Sequence, residues 1–168
     1  MATLVKNVEP TSNPALAEIE KKTGPSNFFR TMAHRPEAMQ DFARLYMSVM
    51  GPGARLEHRL REMIFLAVSY VNECTYCATH HQKTSKAAGL SDHELSEINT
   101  ENNQHFSARE QAALHYAREL TRNSSVSDDL RYRVQELFTT DEFVELTMVV
   151  CLANFTNRFN NGLAVHLE

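Results

Sequence analysis

The sequence predicts an all-α chain, a single-domain helical bundle of seven to nine helices, and three observations predict it. Apolar residues recur at helical spacing, strand-like alternation is nearly absent, and helix-start signals follow one another at short intervals. At 168 residues the chain is long enough for one domain with a sizeable core. Its 42% apolar and 23% charged residues make a globular composition.

Along the chain, "NPALAEIEKK", "SNFFRTMA" and "RPEAMQDFARLYMSVM" read as short helices separated by Gly24–Pro25 and Pro36. Gly51, Pro52 and Gly53 stop the third. Leu56, Leu60, Met63, Ile64, Ala67, Val68 and Val71 then form one stripe of a helix. Asn72 reads as the cap of a further helix beginning near Glu73, with its end marked by Gly89. "SDHE", "SARE" and "TTDE" each match a capping box, and Ser127 before "DDLRYRVQELF" is another cap. The expected organisation is one domain over 1–168, with an N-terminal helical extension over 1–27 and a core over 28–165. Leu167 and Glu168 read as a cloning remnant.

The formal charge of −4 supplies neither the basic surface of a nucleic-acid binder nor a polybasic attraction to anionic membranes. No apolar run approaches the roughly 20 residues of a membrane span, and "MATLVKNVEPTSNP" lacks the pattern of a signal peptide. Three cysteines are too few for a disulfide scaffold, and their odd number suits a reducing compartment. A cytoplasmic location, no membrane and no nucleic-acid partner are the expectations.

The chemistry concentrates in "NECTYCATHH", Asn72 to His81. Placed in the first turn of a helix, Cys74 would feel unsatisfied N–H groups and the positive end of the dipole, which favours the thiolate and makes Cys74 the more acidic thiol. Cys77 follows one turn later. His81, four residues on, shares its face with Cβ atoms about 5–6 Å apart and can take its proton. Two cysteines so spaced can also close a disulfide, as a dithiol that cycles.

Two other readings compete. The pair could simply pack, although its neighbours are polar. It could also clip zinc through Cys74, Cys77 and His81, with His80 or Glu62 as a fourth ligand. Structural zinc sites usually draw a second ligand pair from a distant segment, and neither a second CxxC nor an HxxxH is present. No metal or other cofactor is expected.

Glu62 lies about 200° around its helix from Leu60. It is either a surface residue near a helix start or a partly buried base facing the cysteines, whose burial would raise its pKa. Cys151, inside "MVVCLANF", reads as a small core residue, and His80 as a surface or interface residue.

Glu62, Cys74, Cys77 and His81 at these spacings resemble the alkylhydroperoxidase D branch of the carboxymuconolactone decarboxylase family. "LREMIFLAVSYVNECTYC", "HHQKTSKAAGLSDHEL" and "FTTDEFVELTMVVCLANFTNRF" extend the likeness from about Phe28 to Val165. The resemblance implies a helical fold that assembles as trimers or hexamers. It also implies a thiol-dependent peroxidase for organic hydroperoxides that ends with a Cys74–Cys77 disulfide, re-reduced by a lipoylated or thioredoxin-like donor. Carried over, Cys77 is the peroxidatic residue, Cys74 resolves it, and Glu62 and His81 form a proton relay. Tyr76 departs from the family pattern, which places a second histidine just before the second cysteine. Asn157 and Arg158 match a recurrent family feature and are expected to be structural, reaching toward the active-site helix. A general disulfide reductase and a redox sensor whose disulfide alters assembly are the alternatives.

Overall fold

The computed structural model describes residues 4–168, and among them the regular structure is helical throughout. After a short 3-10 turn at Pro10–Ser12 come α1 (Pro14–Thr23), α2 (Asn27–Met32), α3 (Pro36–Met50), α4 (His58–Val71) and α5 (Thr75–Ala87). These are followed by α6 (Asp92–Thr100), α7 (Ala108–Asn123), α8 (Asp128–Leu137) and α9 (Thr140–Leu163). Within these bounds the three capping boxes form as expected: Ser91 with Glu94, Ser107 with Glu110, and Thr139 with Glu142. Ser127 is the N-cap position of α8 but its side chain makes no cap bond, while its backbone N–H donates to the Glu119 carboxylate at 2.7 Å.

α4 is the axis of the fold. Every residue from Leu60 to Ser69 is buried, and α5, α7 and α9 pack around it. Its stripe Leu60, Met63, Ile64, Ala67 and Val68 is fully enclosed, and Leu56 joins the core from the loop before the helix. Phe28, Phe29 and Phe42 close one end of the core with edge-on ring contacts at 5.0–5.2 Å.

The link from α3 to α4 is fixed from both sides. The buried Arg61 donates from Nη1 to the carbonyls of Val49 and Gly51 at 3.3 and 2.9 Å. The Glu145 carboxylate on α9 accepts the N–H groups of Arg55 and Leu56 at 2.8 Å. Gly51 is required at this turn because a Cβ there would stand 2.3 Å from the Met47 carbonyl oxygen.

Two expectations change. Asn72 caps the C-terminus of α4 rather than opening the next helix, and Cys74 is itself the N-cap of α5. The connection is too short for a separate cap: Glu73 turns left-handed at φ 51°, and the Cys74 N–H bonds back to the Ser69 carbonyl at 2.9 Å. Cys151 lies on the exposed side of α9, so it is not a core residue. The helix is apolar on more than its core face, and Val144, Met148 and Phe155 are also exposed. At the other end of α5, Gly89 (φ 95°) follows the C-cap, as its spacing predicted.

Gly51→Ala is expected to lower stability by about 1–3 kcal/mol, the usual cost of forcing a methyl into occupied space. Denaturant unfolding of the two chains measures it.

Candidate active site

Because Cys74 is the N-cap of α5, its Sγ does what a capping serine oxygen usually does and accepts the N–H of Cys77, at 3.4 Å. This capping geometry draws the two sulfurs together. The Cys74 thiol donates to Cys77 Sγ across 2.8 Å, and both residues are free thiols and almost fully buried. Cys77 Sγ receives a second donor from α9, the Asn160 amide Nδ2 at 3.2 Å.

The two thiols are therefore unlike. Cys77 is lowered to about 7 by the Cys74 hydrogen bond, against the opposing effect of burial, with help from the Asn160 and Asn157 amides and the nearby His81. Cys74 is pushed up, because its proton is held in the bond to Cys77 and burial penalises its thiolate. The sequence expectation that the helix dipole makes Cys74 the more acidic thiol is reversed. As the cap, Cys74 spends its sulfur on one N–H and its proton on its neighbour, while Cys77 collects two donors.

Glu62 is buried at 4% exposure, resolving the alternative left open by spacing. Its Oε2 bonds His81 Nδ1 at 2.8 Å and accepts the Thr84 hydroxyl, while its Oε1 lies 3.4 Å from His58 Nε2. Burial pushes the Glu62 carboxyl up, but the bonds from His81 and Thr84 and the adjacent imidazole charges outweigh it and hold it below the usual range. The expected raised pKa is thus corrected. An ionised carboxylate only accepts, so His81 Nδ1 carries the proton and Nε2 is left to exchange protons elsewhere. The ring lies flat on Phe65, with centroids 3.7 Å apart, which fixes its plane.

Cys77 and His81 open onto one cavity of about 180 Å³, walled by Phe28, Phe29, Tyr46 and Phe65. Tyr76 stands at its edge. Its hydroxyl donates to Glu168 Oε1 at 2.6 Å and accepts the Phe28 N–H at 3.1 Å, while burial first and Glu168 second keep the phenol protonated. His80 is half-exposed and pairs with Glu168 at 2.8 Å. Glu168, given no weight from the sequence, is thus seated beside Tyr76 and His80.

Asn160 was missed by sequence reasoning, which stopped at Asn157 and Arg158. The available signal was the run Asn154, Asn157, Asn160 and Asn161, polar residues at helical spacing in an otherwise apolar helix. Asn72 Nδ2 donates to Asn154 and Asn157, and Asn161 donates to the Asn72 carbonyl, so this ladder pins the elbow between α4 and α5. Asn157 also donates to Ser69 at 3.2 Å. Arg158 is exposed and bonds only Asn154 of its own helix among the described residues.

A helical fold that brings a dithiol, a histidine and a buried carboxylate together defines a recognisable class. The family model for the carboxymuconolactone decarboxylase family matches residues 36–119. The chain belongs to this family, in its alkylhydroperoxidase D-like branch. It is 29% identical over 103 residues to the uncharacterized protein YdfG of Bacillus subtilis, spanning 60% of this chain and 70% of that protein. A solved protein of unknown function from Agrobacterium tumefaciens, described as a candidate antioxidant defence protein AhpD, superposes with a TM-score of 0.74. It is 26% identical and covers 80% of this chain and 93% of its own. The debrominase Bmp8 shares the fold at a TM-score of 0.88 and 18% identity, over 100% of this chain and 94% of its own. No helix among the described residues is long and apolar enough to cross a membrane.

Two outcomes are expected of thiol titration by alkylation rate. The rate should rise through pH about 7 as Cys77 ionises. In Asn160→Ala the midpoint should move up by roughly one unit, the loss of about 1.4 kcal/mol of thiolate stabilisation.

Proposed function

We propose that the protein is a thiol-dependent peroxidase that reduces small organic hydroperoxides through Cys74 and Cys77. The single observation that carries this reading is the asymmetry of the dithiol: one sulfur poised as a thiolate near neutral pH, with a protonated thiol 2.8 Å away. A nucleophile and its resolving partner need that division of labour.

The Cys77 thiolate attacks the outer peroxide oxygen, and the O–O bond breaks. The departing alkoxide takes a proton from His81, which had received it from Cys77, and leaves as the alcohol. Cys77 is now a sulfenic acid. Cys74 attacks its sulfur, an S–S bond forms, and hydroxide leaves with the Cys74 proton as water. The dithiol loses two electrons and the peroxide gains them. A second dithiol, lipoylated or thioredoxin-like, exchanges with the disulfide and restores the pair. Glu62 holds His81 in the tautomer that presents Nε2 and stabilises the imidazolium between the two transfers. The aromatic walls suit an alkyl or aryl substituent better than hydrogen peroxide itself. Tyr76, held neutral by burial and by its bond to Glu168, carries no proton here and shapes the cavity edge. A homo-oligomer, trimeric or hexameric, and a cytoplasmic location belong to the same reading.

The test is tert-butyl hydroperoxide consumption with dihydrolipoamide as donor. Wild type should turn over and Cys77→Ser should not. His81→Ala should lose about 10²–10⁴ in kcat/KM, the usual contribution of a positioned acid–base group. Disulfide reduction by the wild type with no peroxide turnover would sink the peroxidase and leave a general disulfide reductase.

A further inference from the structure

One face of α6 and the loop after it gather three side chains that the thiol chemistry leaves unused. His93 and Glu97 stand one turn apart on the helix, and His105 returns to them from the loop before α7. His105 Nδ1 bonds Glu97 Oε1, and His93 Nδ1 lies 3.7 Å from Glu97 Oε2. The two rings meet edge to face at 5.3 Å, and the ligand atoms of all three residues lie within 4.8 Å of one another.

The burial is what makes the cluster unusual. Glu97 is 4% exposed, while both imidazoles reach solvent. Its Oε2 is buried and has no hydrogen-bond partner among the described residues. A carboxylate oxygen stripped of water and left unbonded is unfavourable, and it faces the side on which His93 stands.

We propose that His93, Glu97 and His105 form a binding site for a divalent transition-metal ion of the zinc type. Two imidazoles and one carboxylate are the ligands that such an ion takes, with water completing the shell from the open side. Tetrahedral ligands about 2.0–2.1 Å from zinc stand roughly 3.3 Å apart, so exposed rings that start within 4.8 Å need only small rotations. The ion would satisfy Glu97 Oε2 and clip α6 to the loop that leads into α7. The site depends on no residue of the dithiol centre, so it stands or falls apart from the peroxidase reading.

The experiment uses the full chain carrying Cys74→Ser, Cys77→Ser and Cys151→Ser, which removes all three thiols as competing ligands. After chelator treatment, zinc is titrated in by calorimetry, and cobalt by its visible absorption. One saturable equivalent is expected, with an N/O-type cobalt spectrum. His93→Ala and His105→Ala, both at exposed side chains, should each weaken binding by at least the ~10–100-fold that even outer-shell partners carry, with helical content unchanged. Absence of saturable binding, or an affinity that neither histidine variant moves, overturns the site and leaves a histidine–carboxylate cluster only.

Discussion

α4 is buried along almost its whole length, and that constraint governs what surrounds it. A helix in this position is ordinarily apolar throughout, yet Arg61 and Glu62 are both enclosed. An enclosed charge is tolerated only when it is met by partners. Arg61 is met by the carbonyls that end α3, which fixes the entry to α4. Glu62, its neighbour in sequence, points another way and is met by His81 and Thr84 on α5. The two residues thus tie the central helix to the elements before and after it, and the second tie is also the proton-handling half of the candidate site. Removing the carboxylate would leave a buried imidazole without its orienting partner, so packing and chemistry are coupled at one residue.

The other half of the site is built by capping. A helix start needs a side-chain acceptor, and here a cysteine occupies the place that serine or aspartate usually fills. The consequence is electrostatic as much as structural. The capping sulfur lies beside the first-turn sulfur, and α9 adds an amide from the far side. The acidity of Cys77 therefore arises from three elements meeting, the α4–α5 elbow, the first turn of α5 and the last turns of α9, rather than from the histidine alone.

Much of this was legible in the sequence, and the boundary has physical causes. The capping boxes, the α4 stripe and the glycine after α5 are local patterns, so spacing located them. The Glu62, Cys74, Cys77 and His81 constellation was legible because the resemblance named it, and the structure brings these four residues together. The acidity order of the thiols was not legible. It depends on which cysteine is the cap, and a two-residue shift in the helix start reverses it. The Glu62 pKa was misread because spacing offered burial only as one alternative and gave no sign of the bonds from His81 and Thr84 that outweigh it. Cys151 misled because α9 is apolar on more than one face, so hydrophobic neighbours in sequence do not imply enclosure. Asn160 reaches Cys77 across 83 positions of chain, beyond any local pattern.

The Asn160 amide has a bearing on the energetics of oxidation. Its Nδ2 donates to Cys77 Sγ, while its Oδ1 is buried without a partner. A thiolate accepts such a hydrogen bond far better than a neutral disulfide sulfur does. Closing an S–S bond would therefore leave the amide poorly satisfied at both ends. Whatever stabilises the reduced thiolate over the disulfide raises the reduction potential of the couple. In the proposed disulfide cycle the asparagine would thus act as a thermodynamic spring: it would make the oxidised centre the strained one, ready to accept electrons from a reducing dithiol.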